Sequence, residues 1–217
     1  FQDKMQYEEE VLIKKERFPK TEELTMGEVL FELNELTHGD AVMVSDVGQH
    51  QMVVCRYSKQ NQTRSNITSG GLGTMGFALP AAIGAKFGAP ERTVVAIMGD
   101  GSAQMNIQEL GTIMQFQPNV KIIILNNNFL GMVRQWQQLF FDKRYSFVEL
   151  QNPDFITIAK GFGIAGHTVS DRAQLSESLD TLLNSDKPYL LEIICEKEEN
   201  VFPMVPAGTC VTNVILE

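Results

Sequence analysis

Two segments of the chain run apolar almost without a break and then stop on a burst of polar residues. Val94-Val95-Ala96-Ile97-Met98 is followed by Gly99-Asp100-Gly101-Ser102. Val120–Leu125, interrupted only by Lys121, is followed by Asn126-Asn127-Asn128. A strand with one wet face alternates polar and apolar residues. A continuous β-branched run belongs to a strand covered on both faces, as in a parallel sheet under helices. Ala41–Ser45, Ile164–Val169 and Tyr189–Cys195 read as further strands. Between them lie segments with helical spacing: 26–37, Gln49–Tyr57, Phe77–Phe87, Ile107–Phe116, Gly131–Phe140, Phe155–Phe162 and Ala173–Leu183. Pro80 is tolerable only in a first turn, and Thr25 with Glu28 has capping-box spacing. This alternation predicts an α/β domain with a doubly wound, mostly parallel sheet and helices on both faces.

A length of 217 residues suits one large domain. Residues 1–23, rich in Lys, Glu and Gln, read as a linker or lead-in from a missing upstream domain. Residues 24–195 form the domain, and 196–217, with Pro203, Pro206 and Gly208, form a tail. The start lacks a basic-then-apolar signal layout, and no apolar run approaches a membrane span. The charge balance, 18 − 27 = −9, argues against a nucleic acid or an anionic membrane as partner. It leaves phosphate open, because backbone N–H groups bind phosphate without net positive charge. Cys55, Cys195 and Cys210 form no CxxC pair and read as reduced thiols of a cytoplasmic protein. Three histidines, His38, His50 and His167, are too few and too scattered for a multi-histidine metal site. Phe116, Phe140 and Phe141 read as core or interface, and Glu196–Glu199 as a solvated face.

Open α/β sheets bind ligands at the carboxyl ends of their strands. If the two apolar strands are parallel neighbours, Asp100 and Asn127 share one edge. Mg²⁺ wants six oxygens and takes one or two carboxylates plus phosphates. Glycines 99 and 101 let the backbone approach closely, and the helix after Ser102 points N–H groups at an anion. Either half alone is an ordinary turn or strand exit; together they point to a magnesium–diphosphate site. Gly71-x-Gly73-x-x-Gly76 also fits a dinucleotide fingerprint, but Asn66–Ser69 makes a poor first strand and Glu91 is the nearest following acid.

Gly99-Asp100-Gly101, 24 intervening residues, then Asn126-Asn127 resembles the cofactor motif of thiamine diphosphate enzymes. Gly48-Gln49-His50-Gln51-Met52, Gly71–Gly76, Leu79–Ala85, Gly131–Gln137 and Met204–Gly208 resemble the large catalytic subunit of the acetolactate synthase family. The likeness runs from about residue 25 to the end. It implies the third of three domains, the one that holds the cofactor diphosphate. The activating glutamate would lie in a first domain and FAD in a middle one, so no catalytic residue is expected here. Glu109 is then a surface or structural residue.

By the same resemblance Asp100, Asn127 and the backbone carbonyl of Phe129 would bind magnesium. Gly99, Gly101 and Ser102 would hold diphosphate, met by Gln49 and His50 from another loop, with Leu130, Gly131 and Met132 also at the cofactor. Gly73 would touch the aminopyrimidine, and Met75 would wedge the cofactor into the bent shape that makes its activation intramolecular. Met132, Val133 and Trp136 would line a substrate channel, although their spacing also suits a core face. Val53–Tyr57 departs from the family's usual Trp-Ala-Ala-Gln, which implies altered packing and not lost binding. The whole enzyme would decarboxylate pyruvate and join the two-carbon unit to pyruvate or 2-oxobutyrate. It would work as a homodimer or tetramer, with a regulatory small subunit as a further partner, and this fragment alone would be inactive. The rival readings are another thiamine enzyme, such as a pyruvate oxidase or a different carboligase, and an NAD(P)-binding dehydrogenase domain.

Overall fold

The computed structural model describes residues 6–215; the outermost parts of the lead-in (1–5) and of the tail (216–217) lie outside the described residues. Six strands form one sheet in the order β2-β1-β3-β4-β6-β5, every pair parallel. They are β1 (Val42–Ser45), β2 (Asn66–Thr68), β3 (Val94–Gly99), β4 (Val120–Asn126), β5 (Ala165–Val169) and β6 (Tyr189–Ile194). The apolar runs supply the centre: β3 pairs with β4 from Val94↔Val120 to Gly99↔Leu125. Lys121, the one break in those runs, is buried and pays no unsatisfied cost, because its ammonium donates to Asn119 Oδ1 (2.7 Å) and the Ser185 carbonyl. Burial pushes its pKa down to about 8.

Alternate residues of β1, β3, β4 and β6 feed two cores. Val95, Ile97, Ile123 and Leu191 pack under α2 (Met26–Thr37), α3 (Gln49–Tyr57) and α9 (Leu175–Asn184). Val94, Ala96, Ile122 and Leu190 pack under α4 (Ala78–Gly88), α6 (Leu110–Phe116) and α8 (Phe155–Gly161). The capping box forms: the Glu28 N–H donates to Thr25 Oγ1 (3.3 Å) and the Thr25 N–H to Glu28 Oε2 (3.2 Å). Pro80 sits in the first turn of α4.

Several expectations need correction. Asn66–Thr68, read as a poor strand, pairs with β1 from Met43↔Asn66 to Ser45↔Thr68 as the sheet's edge. Within the lead-in, π-helical Glu8–Ile13 runs into α1 (Lys14–Arg17). Glu16 holds that helix to the domain: its carboxylate accepts from Arg56 Nη1 (2.7 and 2.6 Å) and Tyr57 Oη (2.6 Å). Burial and this carboxylate drive the Tyr57 pKa well up. The unusual Val53–Tyr57 segment thus anchors the N-terminal helix. Phe116, Phe140 and Phe141 are exposed, so none is core. Among the described residues no helix is long and apolar enough to cross a membrane.

Candidate functional site

β1 has β2 on one side and β3 on the other, so the winding of the chain reverses there. Ligand sites in such sheets open at this reversal, beyond the carboxyl ends of the strands. A cleft of about 170 Å³ lies at that place. It is lined by Gln49, His50, Met75, Gly99, Asp100, Gly101, Ser102, Asn127, Phe129, Leu130, Gly131, Met132 and Val133. Met26, Val47, Gly48 and Leu125 complete the wall. Two of the residues expected at the site do not line it. Gly73 sits in the exposed turn after β2 with φ +62°. Trp136 is 39% exposed on α7 (Gly131–Phe140), its ring 5.0 Å from that of Phe140.

Asp100 opens the short helix α5 (Asp100–Met105) and is only 1% exposed. Burial pushes its carboxyl pKa up, opposed by hydrogen bonds from Asn152 (2.7 Å to Oδ2) and from the backbone of Gly101 and Asn128. All these partners are neutral. A desolvated carboxylate with only neutral partners is a place where a divalent cation restores charge balance. Asn127, 2% exposed, accepts the Phe129 N–H at Oδ1 (3.1 Å) and reaches Gln49 Oε1 through Nδ2 (3.4 Å). Asn128 takes the left-handed turn (φ 57°) that brings Phe129 round to the cleft. One carboxylate, one amide oxygen and a nearby carbonyl make a hard-oxygen donor set that suits Mg²⁺. Side chains at the glycines would crowd the residues that line the cleft. A Cβ on Gly101 would lie 2.7 Å from Leu130 Cδ2, and one on Gly99 3.1 Å from His50 Nδ1. The bare backbone at this helix start could hold a diphosphate.

The site also rests on residues that no motif named. Asp46, fully buried after β1, lies 2.5 Å from His50 Nε2 through Oδ1 and accepts the Gly76 N–H at Oδ2 (3.2 Å). It fixes the His50 ring and ties the 71–76 loop to the cleft. Gln49 donates from Nε2 to Gln135 Oε1 (3.0 Å) and to the Glu199 carbonyl (2.8 Å), and a Cβ on Gly131 would run into its Oε1. Helix α7 turns its polar side inward: Arg134 and Gln135 are 0% exposed, while Val133 is 47% exposed. The core-face reading of Met132, Val133 and Trp136 is thereby corrected. Arg134 donates to the Glu199 carbonyl (2.7 Å), Asn200 Oδ1 (2.9 Å) and Gln138 Oε1 (2.6 Å). Gln135 exchanges hydrogen bonds with the Val201 backbone, 3.0 Å out and 2.9 Å back.

Glu199 departs from the solvated face expected of 196–199. Its Oε2 accepts the Met26 N–H at the start of α2 (3.1 Å), and burial pushes its pKa up to about 7. The folded protein therefore holds a proton that the unfolded chain releases above pH ~4.3. This contribution to stability is full below that pH and is lost as pH rises to about 7. Glu199→Gln should flatten the loss between pH 5 and 8. At pH 8 it should raise stability on the order of 1 kcal/mol, about 2–4 °C in a chain of this size. Thermal melts across pH check this.

The thiamine pyrophosphate enzyme C-terminal TPP-binding domain model matches residues 46–193. The chain belongs to that family. The matched span includes the 71–76 glycines, so they are part of a thiamine pyrophosphate domain and not a dinucleotide fold. Over 181 residues the chain is 51% identical to the acetolactate synthase isozyme 2 large subunit of Escherichia coli (strain K12), covering 83% of this chain and 33% of that protein. It is 50% identical over 166 residues to the mitochondrial acetolactate synthase catalytic subunit of Aspergillus candidus, covering 76% and 24%. Among solved structures, the Rhodococcus jostii RHA1 thiamine diphosphate-dependent 4-hydroxybenzoylformate decarboxylase superposes with a TM-score of 0.76 at 26% identity, over 82% of this chain and 34% of that one. The chain spans about a third or less of the length of these proteins.

Proposed function

We propose that this chain is the cofactor-binding C-terminal domain of an acetolactate synthase large subunit. The observation that carries the reading is the meeting of buried Asp100 and Asn127 at the ends of two adjacent parallel strands. It occurs in a domain half identical to acetolactate synthases. Asp100, Asn127 and the Phe129 carbonyl would hold Mg²⁺. Ser102 and the Gly99 and Gly101 backbone would hold the diphosphate, with Gln49 and His50 closing over it. Bound thiamine diphosphate supplies the electron sink for decarboxylation. Met75 packs beside Gly101, where it can shape the cofactor from below, and Leu130, Gly131 and Met132 exclude water around it. Gly73 would approach the aminopyrimidine through its backbone. Val133 and Trp136, exposed along α7, suit an apolar channel for an aliphatic ketoacid.

In this reading the working enzyme takes pyruvate, then pyruvate or 2-oxobutyrate, as a homodimer or tetramer in the cytoplasm, with a regulatory small subunit as a further partner. Its other domains carry the activating glutamate and any FAD. The domain proper is 24–195, with 1–23 as lead-in and 196–217 as tail; contacts from Glu199 and Val201 make the start of that tail part of the fold.

Product identification tests the function. The full-length protein with pyruvate, Mg²⁺ and thiamine diphosphate should form 2-acetolactate by mass spectrometry, and the 217-residue chain alone should form none. Acetate or acetyl phosphate with peroxide would move the protein to an oxidase. A melting temperature raised by NAD and not by thiamine diphosphate would move it to a dehydrogenase.

A further inference from the structure

Asn152 lies in the loop before α8, yet its amide reaches between the two loaded strand ends. Nδ2 stands 2.7 Å from Asp100 Oδ2, 2.9 Å from Asn126 Oδ1 and 3.2 Å from Asn128 Oδ1. The neighbours settle which way the amide faces. Asn126 gives its own Nδ2 to Glu192 Oε1 (2.7 Å), a carboxylate that also accepts from Thr168 Oγ1 (2.8 Å). Asn126 Oδ1, which also accepts the Asn128 N–H (3.0 Å), therefore faces Asn152, and an Asn152 oxygen turned to this side would meet only other oxygens. On the other side Gln104 Nε2 donates to Asn152 Oδ1 (2.9 Å), so the Asn152 oxygen is turned away from Asp100. An NH₂ group has two hydrogens, and the two shortest contacts claim them: Asp100 and Asn126.

Backbone N–H groups of Gly101 and Asn128 also donate to the Asp100 carboxylate, and Asn152 is the one side chain among the described residues that does so. Here Oδ2 of Asp100 is tied by a charge-assisted hydrogen bond to an amide that is itself held from both sides. We propose that Asn152 is a positioning residue for the divalent cation. Together with the Gly101 and Asn128 backbone it fixes the Asp100 carboxylate in the orientation that meets the metal, and Gln104 and Asn126 fix Asn152 in turn. The proposal rests on the reading of Asp100 as a magnesium ligand. Asn152 itself presents donors at this point, so it orients a ligand and does not act as one.

The test measures Mg²⁺ binding by calorimetry on the full-length protein at saturating thiamine diphosphate, and cofactor binding at saturating Mg²⁺. Loss of a group that orients a metal ligand typically costs 10–100-fold in metal affinity. Asn152→Ala should weaken Mg²⁺ by about that factor, with cofactor affinity at saturating Mg²⁺ within about twofold of the parent. Bound Mn²⁺ in the variant should show a broadened spin-resonance spectrum, the mark of a looser ligand set. Gln104→Leu, on an exposed side chain that leaves the fold intact, should shift Mg²⁺ affinity in the same direction by less. Unchanged Mg²⁺ affinity in both variants overturns the proposal. So does an equal loss of cofactor affinity at saturating Mg²⁺, which would mean a collapsed cleft. A parent protein that binds thiamine diphosphate without any need for Mg²⁺ would sink the magnesium reading itself, and the proposal with it.

Discussion

Asp100→Asn is expected to weaken Mg²⁺-dependent binding of thiamine diphosphate by more than about 100-fold while leaving the empty protein at least as stable. The first half follows from the donor set. Asp100 is the one carboxylate among the described residues that line the cleft, and Mg²⁺ depends on hard, charged oxygens. With Asp100 in the proposed role of metal ligand, exchanging its oxygen for a neutral amide removes a charge in direct contact with the cation, a larger loss than the 10–100-fold typical of outer partners. The second half follows from burial. The carboxyl pKa is pushed up because the charged form is desolvated among neutral partners, so the charge costs folding energy when no cation is present. Removing it relieves that cost, the usual exchange of stability for function at a binding site. Calorimetry for the cofactor and a thermal melt of the cofactor-free protein separate the two effects. A melt lowered by several degrees would mean that Asp100 holds the fold together and that its place at the cleft is incidental.

The parts of the molecule legible in the sequence are those whose signal is local. Val94–Met98 and Val120–Leu125 announce a double-sided sheet because burial on both faces leaves no room for alternation. Their polar exits mark the ligand edge because parallel pairing forces both ends to the same side. The 66–68 strand escaped notice because three residues on a half-exposed edge carry almost no pattern. Residues that act through distant partners were also silent. Asn152 meets Asp100 across 52 positions, and Asp46 meets Gly76 across 30. Neither sits in a motif, and their types are common in loops. Helix α7 misled in a different way. Periodicity locates apolar stripes and assumes that they face inward, but the 199–204 segment offers backbone groups, so the polar stripe of α7 is the one that packs.

That inversion gives Arg134, fully buried on the polar side of α7, a large share in holding the tail to the domain. Arg134→Ala is expected to destabilise the fold by about 2–4 kcal/mol, because it removes three hydrogen bonds together with the packing of a fully buried side chain. The guanidinium fork serves the Glu199 carbonyl, Asn200 Oδ1 and Gln138 Oε1 with both terminal nitrogens. Gln49 still donates to the Glu199 carbonyl and Asn200 to Gln138 Oε1, so the loss is that of three hydrogen bonds from a charged donor, about 1–2 kcal/mol for the set, plus the space the side chain filled. Arg134→Lys should recover less than half of the loss. One ammonium on a flexible stem cannot span acceptors that a planar fork meets from two nitrogens. The effect should spread to the cleft, because the Glu199 carbonyl that accepts from Arg134 also accepts from Gln49, which in turn braces Asn127. Urea melts of the three proteins measure the first effect, and cofactor affinity at a denaturant-free reference measures the second. A lysine variant as stable as the parent would show that charge alone suffices at this position. The 199–204 segment would then be held by its remaining bonds to Gln135 and not by the fork.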